Sequence, residues 1–215
     1  MKQNNKNTLS SKKRLLQNIS ILKKHHLTKG IDPVKFRVIL EDLGPTFVKI
    51  GQIMSSRQDM FSQRYCKELI KLRDNVAPLD IETVYNVIEN EYGCNLNEIF
   101  SYFNPVPLGS ASIAQVHRAT LKNGKDIVVK VQRPNIYETM EQDISLIRSN
   151  ETLGSVVDLN IVLDEFWHTA KEEMDFLNEA KYARDFAHLN SNINCIATPF
   201  IETDFTTSKI LVMEY

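Results

Sequence analysis

The chain has 215 residues, of which 42% are hydrophobic and 25% are charged. This balance excludes a disordered chain and allows either one large domain or a small domain with an extension. No stretch approaches the roughly 18 apolar residues of a membrane-spanning helix, and the start lacks a secretory signal, so a cytoplasmic location is expected. The three cysteines, Cys66, Cys94 and Cys195, form no Cys-x-x-Cys pair. Neither a disulfide framework nor a metal site is predicted.

Residues 1–30 are predicted to form a basic arm. The arm contains eight Lys or Arg residues and no acid, although the whole chain has a formal net charge of −1. The basic residues are Lys2, Lys6, Lys12, Lys13, Arg14, Lys23, Lys24 and Lys29. Such an arm is either a solvated helix or a contact for an anionic membrane surface or lipid, so peripheral membrane association is a second expectation. Nucleic acid is not an expected partner, because aromatic residues are not interleaved with the basic ones.

Residues 31–104 are predicted to be a helical extension. Gly44 and Pro45 mark the start of a new helix, because proline is tolerated at the first helical position. Asp80 is placed to cap a later helix that ends before Gly93. The apolar residues of that helix follow a helical spacing at Ile81, Val84, Tyr85 and Ile88.

Residues 105–215 change to a pattern of strands and helices. Asn123 and Gly124 separate two apolar runs, which is the strongest short signal for a β-hairpin. Helices are predicted over 136–150 and, as one long helix, over 160–189, with further strands over 196–201 and 209–214. Three strands, a long helix and two strands is the order of a protein-kinase small lobe. The predicted fold class is therefore α+β, a helical extension followed by a kinase-like small lobe with an antiparallel sheet.

Lys130 ends an apolar strand, like the kinase lysine that reaches nucleotide phosphates. The ordinary alternative is a surface lysine at a strand end. A small-residue segment precedes it where a kinase has its phosphate-covering loop, and its candidate nucleotide contacts are Leu108, Gly109, Ser110, Ala111, Ser112 and Val116. Ala111 stands where a second glycine would be, so the phosphate geometry should differ from that of an ordinary kinase.

Three segments together resemble the UbiB/ADCK (AarF-like) family of atypical protein-kinase-like proteins. They are Leu43 to Gln52, Ser110 to His117 and Val129 to Pro134. The resemblance covers Ile31 to Tyr215 and implies a kinase-like fold that binds ATP or ADP with Mg²⁺. It also implies a link to isoprenoid-quinone (ubiquinone-type) or other lipid metabolism.

The resemblance assigns roles to two short signatures. Lys49, Gly51 and Gln52 match a Lys-x-Gly-Gln signature that lies across the nucleotide site in the family. Glu173 and Asp175 match a Glu-x-Asp signature, with Glu173 directed toward Lys49.

Glu179 matches the glutamate that pairs with Lys130. On one continuous helix Glu173 and Glu179 would be about 120° apart, so they would need different cationic partners. Glu214 lies in a segment similar to the strand that leads into the adenine-binding hinge.

A kinase transfers phosphate with a catalytic-loop Asp, an Asn and the Asp of Asp-Phe-Gly, all from its large lobe. None of the three motifs occurs in this sequence, so no catalytic residue is assigned. The small lobe is expected to be truncated at the hinge, and the chain to be inactive as an enzyme by itself. The alternative function is a non-enzymatic module that binds lipid or protein.

Overall fold

The structure divides into two compact units, one of Met1–Val76 with Asn135–Trp167 and one of Ala77–Pro134 with His168–Tyr215. This computed structural model describes residues 2–25, 31–59, 61–73, 76–149 and 159–215, without the side chains of 2–11, 73, 159–162 and 165. Lys29 of the predicted basic arm lies outside the described residues, as do the side chains of Lys2 and Lys6.

Nine α-helices and five strands are seen in the described ranges. The helices are α1 (Lys2–Lys24), α2 (Pro33–Leu43), α3 (Pro45–Met54), α4 (Gln63–Leu69), α5 (Ile81–Tyr92), α6 (Leu96–Ile99), α7 (Ile136–Arg148), α8 (Leu159–Met174) and α9 (Phe176–Leu189). The strands are β1 (Phe100–Phe103), β2 (Gly109–Ser110), β3 (Ala114–Leu121), β4 (Asp126–Gln132) and β5 (Ile210–Glu214). Short 3₁₀ turns cover Ile70–Arg73 and Thr203–Phe205. No helix in these ranges is long and apolar enough to span a bilayer.

The first unit is helical in its described part. Asp32 begins α2 by accepting a hydrogen bond from the Lys35 N–H at 2.9 Å. Gly44 has a φ of 100°, in the region that favours glycine, and separates α2 from α3 as the sequence predicted. A small core is made by Leu40, Val48, Leu69 and Leu72.

The second unit is built on an antiparallel sheet of strand order β1-β3-β4-β5, with β2 also paired to β3. The predicted hairpin joins β3 to β4, and Gly124 has the positive φ of 85° that a tight Asn-Gly turn needs. Helix α5 packs on one face of the sheet. The buried cluster there contains Val84, Ile88, Phe100, Phe103, Ala119, Leu121, Ile127, Val129, Val131, Ile210 and Val212. Because side chains alternate along a strand, Lys130 belongs to the opposite face.

The predicted α+β class is confirmed, and the boundaries of three elements differ from the prediction. The long helix is interrupted at Asp175, whose backbone is extended (φ −102°, ψ 99°), so the angle calculated for one continuous helix does not apply. The strand expected over 196–201 is reduced to one bridge, between Ile201 and Met213. Residues Phe100–Phe103, placed in the helical extension, form β1 because Phe100 and Phe103 are buried against α5 and pair with β3.

Candidate functional site

The candidate site centres on an ion pair between β4 and α9. Lys130 Nζ donates to Glu179 Oε2 at 2.6 Å and lies 4.7 Å from the centre of the Phe176 ring. The side chains of Lys130 and Glu179 are 25% and 44% exposed. A pair this exposed stabilises a fold by only about 0–1 kcal/mol. Its main effect is to hold a cation in a fixed place on the sheet face.

Three adjacent strands carry candidate residues in one row. Gly109 on β2 is opposite Val116 on β3, and Val116 is opposite Lys130 on β4. Directly paired residues direct their side chains to the same face of a sheet. A methyl group at Gly109 would meet no atom within 4 Å. The sheet face is therefore open at the β2 end of this row.

The small-residue loop is a tight hairpin between β2 and β3. The Ala111 N–H donates to the Ala114 carbonyl at 2.8 Å, with Ser112 and Ile113 at the tip. Leu108 is exposed and its N–H donates to the Val116 carbonyl at 2.8 Å. Asn135 is the one non-glycine residue with positive φ among those described, so Ala111 carries no left-handed strain.

Arg133 holds this hairpin in place, a role that the sequence did not reveal. Its guanidinium donates to the Ala111 carbonyl at 2.9 Å, to Ser110 Oγ at 2.8 Å and to the Ala77 carbonyl at 2.7 Å. Burial lowers the pKa of Arg133, yet the group stays charged because its ordinary value is above about 12. The Val-Gln-Arg-Pro motif marked the position, but the contacts depend on tertiary folding.

Two buried glutamines also position the site. Gln132 Nε2 donates to the Met174 carbonyl at 2.5 Å and so fixes the end of α8. Gln115 Oε1 accepts from the Leu79 N–H at 2.7 Å, while its Nε2 donates to His117 Nε2 at 2.9 Å. His117 Nδ1 then donates to the Asn104 carbonyl at 2.8 Å. Burial lowers the pKa of His117, so this chain of hydrogen bonds contains the neutral imidazole.

The other acidic candidates are Asp175, Glu214 and Glu173. Asp175 is the amino-terminal cap of α9 and accepts from the Leu177 N–H at 3.1 Å. Glu214 accepts from the Phe200 N–H at 3.2 Å and is paired with Ile127, three residues before Lys130 on β4. Glu173 is exposed near the end of α8.

The Lys-x-Gly-Gln residues belong to the first unit. Gln52 Nε2 donates to the Leu72 carbonyl at 3.0 Å. A Cβ at Gly51 would clash with Leu72 Cδ1 and would lie 2.8 Å from Leu40 Cδ1, so a larger residue there would force these buried side chains to shift. Lys49 is half-buried. Its predicted contact with Glu173 would join the two units and stays a prediction.

Comparison with known proteins identifies the family. Residues 71–215 match the ABC1 atypical kinase-like domain. The chain is 39% identical to an uncharacterized protein in the hydrogenase 1 5′ region of Clostridium pasteurianum, over 85% of this chain and 36% of that protein. It is 38% identical to a probable protein kinase UbiB of Marinobacter nauticus, over 84% of this chain and 34% of that protein.

A solved structure has a similar fold. The complex of Rv3197 with erythromycin from Mycobacterium tuberculosis has a TM-score of 0.55 and 27% identity, and the match covers 78% of this chain and 42% of that one. The chain thus spans 36% and 34% of the two relatives' lengths. A domain match over residues 71–215 and UbiB-named relatives lead to one conclusion: the chain belongs to the UbiB/ADCK family of atypical kinase-like proteins with an ABC1 domain.

Proposed function

We propose that this chain supplies the small-lobe half of an ATP or ADP site in an atypical kinase-like protein. The observation that carries the proposal is the ion pair of Lys130 with Glu179, 2.6 Å apart on the sheet face that α5 leaves free. In kinases the corresponding lysine contacts nucleotide phosphates while a helix glutamate holds it. The UbiB name of several relatives supports a role in ubiquinone-type or other lipid metabolism.

The residues of the second unit divide the work of holding a nucleotide. Lys130 would contact the phosphates, and Glu179 would keep its ammonium group in place. The hairpin at Gly109 to Ser112 would cover the phosphates, with Arg133 fixing its backbone. Val116 offers apolar surface beside Lys130. Mg²⁺ would enter with the nucleotide and neutralise phosphate charge, and no residue of this chain is assigned to it.

Titration of ATP and of ADP into the whole chain, followed by calorimetry, tests the proposal. Lys130→Met should weaken nucleotide binding at least about tenfold, the loss of one charge-assisted contact of about 1.4 kcal/mol. Lys122→Met is the matched control, because Lys122 is an exposed lysine next to the β3–β4 turn. Equal affinity of the wild type and Lys130→Met would refute the role of Lys130.

A second candidate function is contact with an anionic membrane through α1. Arg14 and Asn18 face the interior of the first unit, where both hydrogen-bond to Asp143. The outer surface of α1 exposes Leu16, at 67%, together with Leu15 and Ile19. Exposed lysines flank these apolar residues at Lys12, Lys13, Lys23 and Lys24. An apolar patch with flanking lysines is typical of a helix that lies on a membrane surface.

Vesicle co-sedimentation tests this second candidate. Vesicles of phosphatidylglycerol and phosphatidylcholine should sediment the chain, and neutral phosphatidylcholine vesicles should not, since each Lys near an anionic surface is worth about 1 kcal/mol. Lys12→Glu with Lys23→Glu should remove the difference, whereas Lys122→Glu should keep it. Equal sedimentation with both vesicle types would leave α1 as a solvated helix.

A further inference from the structure

A groove of about 320 Å³ lies within the second unit, between α9 and the 3₁₀ turn Thr203–Phe205. It is on the edge of α9 that carries Leu177, Lys181 and Arg184, whereas Glu179 of the same helix is paired with Lys130. Its lining includes Leu177, Ala180, Lys181, Arg184, Thr203 and Thr206. The groove is therefore separate from the proposed nucleotide contacts.

The groove presents two cations without counter-ions. Lys181 and Arg184 are exposed, and neither makes an ion pair or a side-chain hydrogen bond with any residue that the structure describes. They are three residues apart on α9 and so are neighbours on one helix surface. Two acids close by in the chain, Asp185 on α9 and Asp204 on the 3₁₀ turn, are exposed and do not line the groove.

Leu177 gives the α9 side of the groove an exposed apolar side chain next to the polar Asn178, and hydrogen bonds fix the wall opposite α9. Leu177 is 49% exposed, one turn before Lys181, and Ala180 forms part of the lining. Thr206 Oγ1 donates to the Glu202 carbonyl at 2.9 Å and accepts from the Val212 N–H at 3.2 Å. Because these bonds tie the turn to β5, the wall opposite α9 is held in place.

We propose that this groove docks an acidic peptide segment of a partner protein. An apolar side chain of the segment would cover Leu177, and its carboxylates would meet Lys181 and Arg184. Charge complementarity supports an acidic occupant, since two unpaired cations favour a partner of opposite sign. The volume lies at the low end of the range for ligand pockets, which fits one or two inserted side chains. A flat membrane surface would not fill a concave site, which favours a peptide over lipid.

Fluorescence anisotropy of the whole chain with a defined probe tests the proposal. The probe is a short fluorescein-labelled peptide of repeating Glu-Phe-Asp, and the control peptides replace either its acids by lysine or its phenylalanines by serine. The acidic aromatic peptide should bind best and should be weakened by salt. Reversing both charges, with Lys181→Glu and Arg184→Glu, should reduce the affinity for this peptide about tenfold, because each exposed charge pair contributes modestly to binding.

Matched variants and competing ligands decide the outcome. Lys67→Glu with Lys122→Glu makes the same change in net charge as the groove double variant, at two exposed lysines outside the groove, and should leave peptide affinity unchanged. Leu177→Ser should weaken the acidic aromatic peptide without affecting the serine-substituted one. Equal losses in this control and in the groove double variant would overturn the proposal, because binding would then follow net charge alone. The proposal would also be overturned if no peptide bound, while the groove variants weakened the binding of inorganic phosphate or of phosphatidylglycerol vesicles.

Discussion

Replacing Arg14 by leucine is expected to destabilise the first unit strongly, because Arg14 neutralises a fully buried carboxylate. Asp143 on α7 is 0% exposed. Arg14 Nε and Nη2 donate to its two oxygens at 2.8 and 2.7 Å, and Thr46 Oγ1 donates to Oδ2 at 2.6 Å. Arg14 Nη2 also donates to the Leu43 carbonyl at 2.8 Å, at the end of α2. One side chain of α1 thus connects α2 and α7.

The magnitude follows from leaving the Asp143 charge without its partner. Removal of one member of a buried ion pair costs about 3–5 kcal/mol, whereas replacing both members by apolar residues is often close to neutral. We therefore expect Arg14→Leu to reduce the free energy of unfolding by about 3 kcal/mol. The double variant Arg14→Leu with Asp143→Leu should lose less than the two single losses added, with a coupling of about 0.5–3 kcal/mol.

Urea unfolding followed by tryptophan fluorescence measures this change in the stability of the first unit. Trp167 is the single tryptophan of the chain, belongs to the first unit and packs against Tyr137 at a ring distance of 5.1 Å. Lys13→Leu is the matched control, because Lys13 is exposed on the same helix and should change stability by less than about 0.5 kcal/mol. An Arg14→Leu loss no larger than that of Lys13→Leu, or strictly additive single losses, would refute the reasoning.

Two further predictions concern buried positions. Burial lowers the pKa of His117 in the folded chain, so the unfolded chain takes up a proton first as the pH falls. The free energy of unfolding should therefore decrease as the pH falls below about 6.5, the ordinary pKa of histidine, and should level off below the pKa of the folded state. Urea unfolding monitored by circular dichroism should show this slope, and His117→Gln should reduce it; an unchanged slope would contradict the assignment. Gly51→Ala should cost about 1–2 kcal/mol, since overpacking against Leu72 outweighs the gain in helix propensity. Gly109→Ala, which meets open space, should leave stability unchanged; equal effects of the two substitutions would contradict the packing argument.

Local signals were sufficient for several elements of the fold. Asp80 accepts from the Thr83 N–H at 2.8 Å and Gly93 has a φ of 70°, so both ends of α5 follow from capping rules. The turn at Gly124 follows from its dipeptide in the same way. Strand β1 was missed because its pairing with β3 connects residues about twenty positions apart, a tertiary contact that no local pattern contains.

Prediction of the candidate site was limited in the same way, because its contacts join residues that are far apart in the sequence. The pair of Lys130 and Glu179 came from the resemblance, since nothing local relates residues 49 positions apart. The interruption at Asp175 was missed because an aspartate between helical residues is compatible with a continuous helix. The structure adds a contact that the sequence does not show: Gln132, 42 positions away, donates to the Met174 carbonyl at the end of α8, directly before Asp175.

The end of β4 connects the elements of the nucleotide site proposed above. Lys130 and Gln132 are two residues apart on one strand and so direct their side chains to the same face. Lys130 reaches α9 through Glu179, and Gln132 reaches the end of α8 immediately before it. Arg133, the next residue, holds the β2–β3 hairpin by its guanidinium and by its N–H, which donates to the Ile113 carbonyl at 2.8 Å. Any shift of β4 would therefore also affect α9, the end of α8 and the β2–β3 hairpin, which these three neighbouring residues contact.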